Sequence, residues 1–189
     1  MRQDQLWHAI RAACQIAQVN DVIIVGSQSI LGSYREDDLP ESATMSREVD
    51  VWVRSDIAEE DRAHAEMLAA AAGEWSMFDQ THGFHIDGVD GTTTILPRGW
   101  EDRLVAVEND QTAGTLHGER HTGWCLEPHD LCAAKLCAHR DKDRAFVLGL
   151  INLGLVSTAI ILERLDSVDA AHAERAQVAR RWVQAIRRG

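Results

Sequence analysis

Residues 21–53 constrain the fold more than any other part of this chain. They hold two short apolar runs, residues 22–25 and 49–53, and the first ends in Gly26-Ser27. Runs of this length, rich in Val and Ile, read as buried β-strands. The second run carries Glu48 and Asp50 on either side of Val49. Side chains alternate across a strand, so the two carboxylates project from one face and Val49 and Val51 from the other. Like charges this close repel unless a cation lies between them. Two hard oxygen donors on a stiff strand suit Mg²⁺ or Mn²⁺. Gly26-Ser27 predicts a strand that turns directly into a short helix, about residues 27–34. Glycine there lets a ligand approach the backbone, and the unpaired N–H groups of a helix start attract an anion. Each feature alone is also what a plain turn or a solvated edge strand would show. In this order they point to a metal-bound polyphosphate.

The flanking sequence alternates strand and helix, an α/β pattern. A helix is expected over residues 4–18, where Leu6, Ile10, Ala13, Cys14 and Ala17 form one apolar stripe. Gly32, Ser33, Asp37, Asp38 and Pro40 read as a loop, with Arg35 and Arg47 the nearest basic residues to the proposed site. Ser55-Asp56 would cap a helix running to about residue 72, with Glu59 and Glu60 in its first turn. Residues 84–89 and 92–96 then read as a hairpin around Asp90-Gly91. Asp87 lies mid-strand, and His85 shares its face. Residues 96–104 form a bend with Trp100 as buried scaffold and Arg98 or Arg103 near a substrate. Strands at residues 105–107 and 123–126 would complete a small mixed sheet.

The last third is helical. Pro128 and Asp130 suit a first helical turn. Lys135 is the only charge within residues 131–138. An ammonium among apolar neighbours needs a partner, either a carboxylate or the phosphates of a bound nucleotide. The cluster Arg140-Asp141-Lys142-Asp143-Arg144 follows, and taken alone it reads as a solvated, salt-bridged helix start. Two further helices are expected over residues 145–155 and 159–165. A final one runs to about residue 187 and carries Arg175, Arg180, Arg181, Arg187 and Arg188. That basic end reads most simply as a solvated face, and it could also bind an RNA backbone or a partner, a second copy of the chain included.

Composition narrows the function classes. With 30 acidic against 19 basic residues, the net charge is −11, which disfavours a general nucleic-acid binder. No run approaches the ~20 apolar residues of a membrane span, and the N-terminus lacks the pattern of a signal peptide, so a cytoplasmic protein without membrane contact is expected. The four cysteines, at 14, 125, 132 and 137, form no C-x-x-C pair and read as small core residues, although a zinc site with a nearby His is conceivable.

Gly26-Ser27 followed by Glu48-Val49-Asp50-Val51 resembles the signature of the nucleotidyltransferase superfamily. Lys135-Leu136 and residues 140–143 resemble helical motifs of the branch that includes abortive-infection and toxin–antitoxin nucleotidyltransferases. The likeness spans roughly residues 20–155. It departs in having Glu at 48 where Asp is usual, and in the twenty residues between Ser27 and Glu48. The resemblance implies a small mixed sheet with flanking helices, residues 1–126, and a helical region, residues 127–189. It implies an enzyme that transfers NMP from an NTP, using Mg²⁺ or Mn²⁺ held by Glu48, Asp50 and a third carboxylate, for which Asp87 is the candidate. Gly26, Ser27, Lys135, Arg140 and Asp141 would contact the nucleotide. The acceptor it implies is an RNA end such as tRNA, or a protein hydroxyl. A small-molecule hydroxyl, and a degenerate module that binds nucleotide or partner without catalysis, stand as alternatives.

Overall fold

Helix α1 (Gln3–Ala17) buries Leu6, Ala9, Ile10, Ala13, Cys14 and Ala17, the stripe that its periodicity predicts, and Gln18 closes it in the left-handed conformation. The computed structural model describes residues 1–114 and 118–187. Strand β1 (Asp21–Ile24) leads into a 3-10 helix, Ser27–Gly32, and after a second 3-10 turn and the short helix α2 (Glu41–Thr44) comes β2 (Glu48–Trp52). Helices α3 (Ala58–Ala72) and α4 (Met77–His82) then carry the chain to β3 (His85–Val89). Strands β4 (Val105–Val107) and β5 (Thr122–Cys125) precede α5 (Pro128–Ala138), α6 (Asp141–Asn152), α7 (Thr158–Asp166) and α8 (Ala173–Ile186). Arg188 lies outside the described residues.

The five strands form one mixed sheet, ordered β3-β2-β1-β5-β4. β1 is antiparallel to β2 and parallel to β5, while β2 and β3 run parallel. Parallel neighbours need a crossover, and α3 with α4 supplies it. The alternation reads directly in β2, where Val49 and Val51 are fully buried and Glu48 and Asp50 are not. Two glycines show how closely helices cover the Val49/Val51 face. A Cβ on Gly88, the partner of Val51, would lie 2.1 Å from the Ala65 carbonyl of α3. A Cβ on Gly123 would lie 2.3 Å from Ile10 of α1. The opposite face is left to the carboxylates and to the C-terminal helices.

The predicted hairpin is not formed. β3 is present, but residues 92–96 contain no strand, and β3 pairs with β2 instead. Asp90 folds the chain locally by accepting hydrogen bonds from the Thr92 amide at 2.8 Å and its hydroxyl at 2.6 Å. The following residues cross the open face, and Pro97, which has no N–H for a ladder, makes only an isolated bridge with Val168. Among the described residues no helix is long and apolar enough to cross a membrane.

Helix α5 is the axis of the C-terminal part, with every residue from Leu131 to Cys137 buried, Lys135 included. It packs against α6, α7, α8 and the 3-10 helix after β1. Its N-terminus is fixed by Glu127, whose side chain accepts from the amides of His129 and Asp130. Asp130, fully buried, pairs with Arg103 at 2.7 Å and with Arg164 of α7 at 3.1 Å, tying three segments together.

Candidate active site

Strand register assembles the acidic centre. Asp50 and Asp87 are direct partners across the parallel β2–β3 pair, and Glu48 sits two residues before Asp50 on the same face. One carboxylate oxygen from each of Glu48, Asp50 and Asp87 lies within 4.8 Å of the others. Gly26 sits against this cluster, and a Cβ there would fall 1.5 Å from Asp50 Oδ2. The close approach of backbone to carboxylate is therefore what requires glycine at 26, since its φ of −88° is open to any residue.

Electrostatics mark the cluster as incomplete. Burial, then the charge of Glu48, pushes the Asp50 carboxyl up to about 7, with Asp87 adding to the rise and Lys135 only partly opposing it. Asp87 is raised as well, by burial first and then by Glu48. Three half-buried hard oxygen donors within reach of one another, with Asp50 and Asp87 both raised, fit a divalent cation such as Mg²⁺ or Mn²⁺.

Beside the acids lies the cation from α5. Lys135 is 8% exposed, donates to Ser27 Oγ at 2.8 Å and to Asp143 Oδ1 at 3.1 Å, and stands over the Phe146 ring. A carboxylate thus supplies the partner that its buried position demands. Asp143 is 1% exposed and also accepts from Arg140, at 2.6 Å to Nε and 3.3 Å to Nη2. Burial alone would raise Asp143, but Arg140 and Lys135 outweigh it and hold the group below the usual carboxylate range. A cleft of about 630 Å³ is lined by Gly26, Ser27, Glu48, Asp50, Lys135, Arg140 and Asp143, while Asp87 stands behind Asp50 on the neighbouring strand and does not line it. Thr93, Thr94 and Ile95 close one side, and Lys142 and Arg175 also reach it.

The structure therefore brings together Gly26, Ser27, Glu48, Asp50, Asp87, Lys135 and Arg140. It does not bring Asp141, whose side chain is fully exposed and lies 3.8 Å from Arg144. The helical turn at the start of α6 turns Asp143 inward and Asp141 out. Other sequence candidates have structural partners elsewhere. Arg47 donates to the Gly83 carbonyl and to Asp79, and Arg98 and Arg103 bind the Ser167 carbonyl and Asp130, whereas His85 is the register partner of Glu48 and also stands 3.8 Å from Asp79. The four cysteines are free and buried, and among the described residues none joins a metal-ligand group. Arg180 is paired with Asp166, so the arginines of α8 are not one free basic stripe. Sequence reasoning underrated Asp143 and missed Lys142 and Arg175 as cleft residues. The charge cluster at 140–144 held the only signal for the first two.

A family model described as "Nucleotidyltransferase of unknown function (DUF6036)" matches residues 4–187. No curated protein and no solved structure matches the chain.

Proposed function

The chain belongs to this nucleotidyltransferase family, and from that premise we propose a metal-dependent enzyme that transfers NMP from an NTP to an acceptor. The observation that carries the reading is the convergence of Glu48, Asp50 and Asp87, with Asp50 against Gly26 and with Glu48 and Asp50 beside Ser27 and Lys135 in one cleft. Glu48, Asp50 and Asp87 would hold Mg²⁺ or Mn²⁺, which stabilises the charge on the entering and leaving oxygens of an in-line displacement. Gly26 and Ser27 would bind the β- and γ-phosphates, Lys135 would offset their charge, and Arg140 would add charge at the cleft wall. The acceptor oxygen forms its bond to the α-phosphorus as the bond to the bridging oxygen breaks, and pyrophosphate leaves. Asp87 would complete the metal cluster or take the acceptor's proton, given hydrogen-bond reach.

The toxin–antitoxin resemblance assigns an RNA end, such as tRNA, or a protein hydroxyl as the acceptor, in the cytoplasm. A second reading, a small-molecule hydroxyl, is favoured by the net charge of −11 and by the pairing of Arg180 with Asp166. Salt separates them, because phosphate contacts release counterions and RNA transfer should fall steeply with added salt.

Calorimetry with ATP, GTP, CTP and UTP, each with and without Mg²⁺, tests the reading itself. Metal-dependent binding of a nucleotide that is lost in Asp50→Ala is expected. Equal binding without metal would indicate a module that has lost catalysis, and no binding of any nucleotide would overturn the reading.

A further inference from the structure

The cleft lining holds four cationic side chains, Lys135, Arg140, Lys142 and Arg175. Two of them are already paired, because the one buried carboxylate of Asp143 accepts from both Lys135 and Arg140. With Glu48 and Asp50 also facing the cleft, those two cations leave little positive charge for the outer end of a polyphosphate. The other two differ. Among the described residues neither Lys142 nor Arg175 makes an ion pair, and both are exposed. Lys142 stands in the first turn of α6 and Arg175 in the first turn of α8. A helix start disfavours a cation, so a bound negative group beside either side chain would offset that small cost. Chain segments 33 residues apart thus bring two unpaired cations to one cleft.

Resting on the nucleotidyl-transfer reading above, we propose that Lys142 and Arg175 together bind the terminal phosphates of the NTP, the part that departs as pyrophosphate. Ser27 and Lys135 then meet the polyphosphate at the buried wall of the cleft and this pair at its exposed side. Helix α8 becomes part of the nucleotide site, supplying a residue from the far end of the sequence. Neither side chain touches the acidic cluster, so the pair governs how the tail is held and not which metal is bound.

The test compares ATP with AMP by calorimetry in the presence of Mg²⁺, using Lys142→Ala, Arg175→Ala and, as a control of equal charge change on the same helix, Arg181→Ala. Arg181 is exposed on α8 and does not line the cleft. Each cleft variant should weaken ATP binding by about tenfold, the scale of one charge-assisted hydrogen bond. AMP binding, and both ligands in Arg181→Ala, should stay at the wild-type values. Wild-type protein that binds no ATP would sink the nucleotidyl-transfer reading. Wild-type binding that is unchanged in Lys142→Ala and Arg175→Ala would overturn only the present assignment. Equal losses for AMP and ATP, or an equal loss in Arg181→Ala, would overturn it too, by placing the cations at the nucleoside end or reducing them to a general field. Thermal unfolding of each variant confirms that the fold persists.

Discussion

Gly26→Ala isolates the steric condition on which the acidic centre rests. The backbone at 26 has φ −88° and ψ −165°, which alanine adopts freely, so any effect comes from the added methyl and not from backbone strain. That methyl would lie 1.5 Å from Asp50 Oδ2, 2.4 Å from its Cγ and 2.8 Å from its Cβ. An unstrained contact is roughly 3.5 Å, so the carboxylate or the 26–27 backbone must retreat by ~2 Å. A misplacement of 1 Å at reacting groups can cost ~10²-fold, so turnover should fall by at least ~10²-fold. Mn²⁺ affinity should fall by about 10–100-fold, as when the support of a metal ligand is lost. Overpacking should destabilise the fold by only about 1–3 kcal/mol, because the carboxylate can swing toward the cleft. Electron paramagnetic resonance of free Mn²⁺ reads the affinity, and urea unfolding reads the stability. In an Asp50→Ala background only the 2.8 Å contact with Cβ remains, so adding Gly26→Ala should destabilise the fold less than it does in the wild type. A folded Gly26→Ala protein with wild-type Mn²⁺ affinity would refute the reasoning.

Asp143→Asn leaves Lys135 and Arg140 without their shared anion, and urea unfolding should show a loss of about 3 kcal/mol, the lower end of the range for a broken buried pair because Arg140 is itself half exposed. The pH dependence of the metal-free protein follows from Asp50, which faces Glu48, Asp87 and Lys135 and whose carboxyl is raised from 3.8 to about 7. The folded state holds that proton more tightly than the unfolded chain, so this contribution to stability is present below about pH 4 and is lost as pH rises to about 7. Urea midpoints in EDTA at pH 5 and pH 8 should therefore differ more in the wild type than in Asp50→Asn, and saturating Mn²⁺ should remove the excess; equal differences in both proteins would refute the assignment. Burial pushes the thiols of Cys14 and Cys125 up to about 12 and raises those of Cys132 and Cys137, so a thiol reagent should find no reactive cysteine at pH 8 until the protein is unfolded.

Local sequence determined what depends on neighbours along the chain. The period-2 pattern of β2 sets Glu48 and Asp50 on one face because side chains alternate on any strand, whatever surrounds it. The stripe of α1, the glycine at the end of β1 and the apolar α5 with its single lysine are legible for the same reason. Other features depended on where distant segments meet, and no pattern in the sequence fixes that. Residues 92–96, Thr-Thr-Thr-Ile-Leu, have the β-branched composition of a strand, yet β3 found its partner in β2, and the parallel pairing set Asp87 directly beside Asp50. Lys135 and Asp143 are eight residues apart, about 12 Å along an unbroken helix. They meet because His139 takes a left-handed conformation, with φ 63°, ends α5 and turns α6 back upon it. Arg175 reaches the cleft only through the packing of α8 against α5. Spacing along the chain reports the geometry of one element, whereas the site is made where elements cross, and burial of apolar surface across the whole molecule decides those crossings.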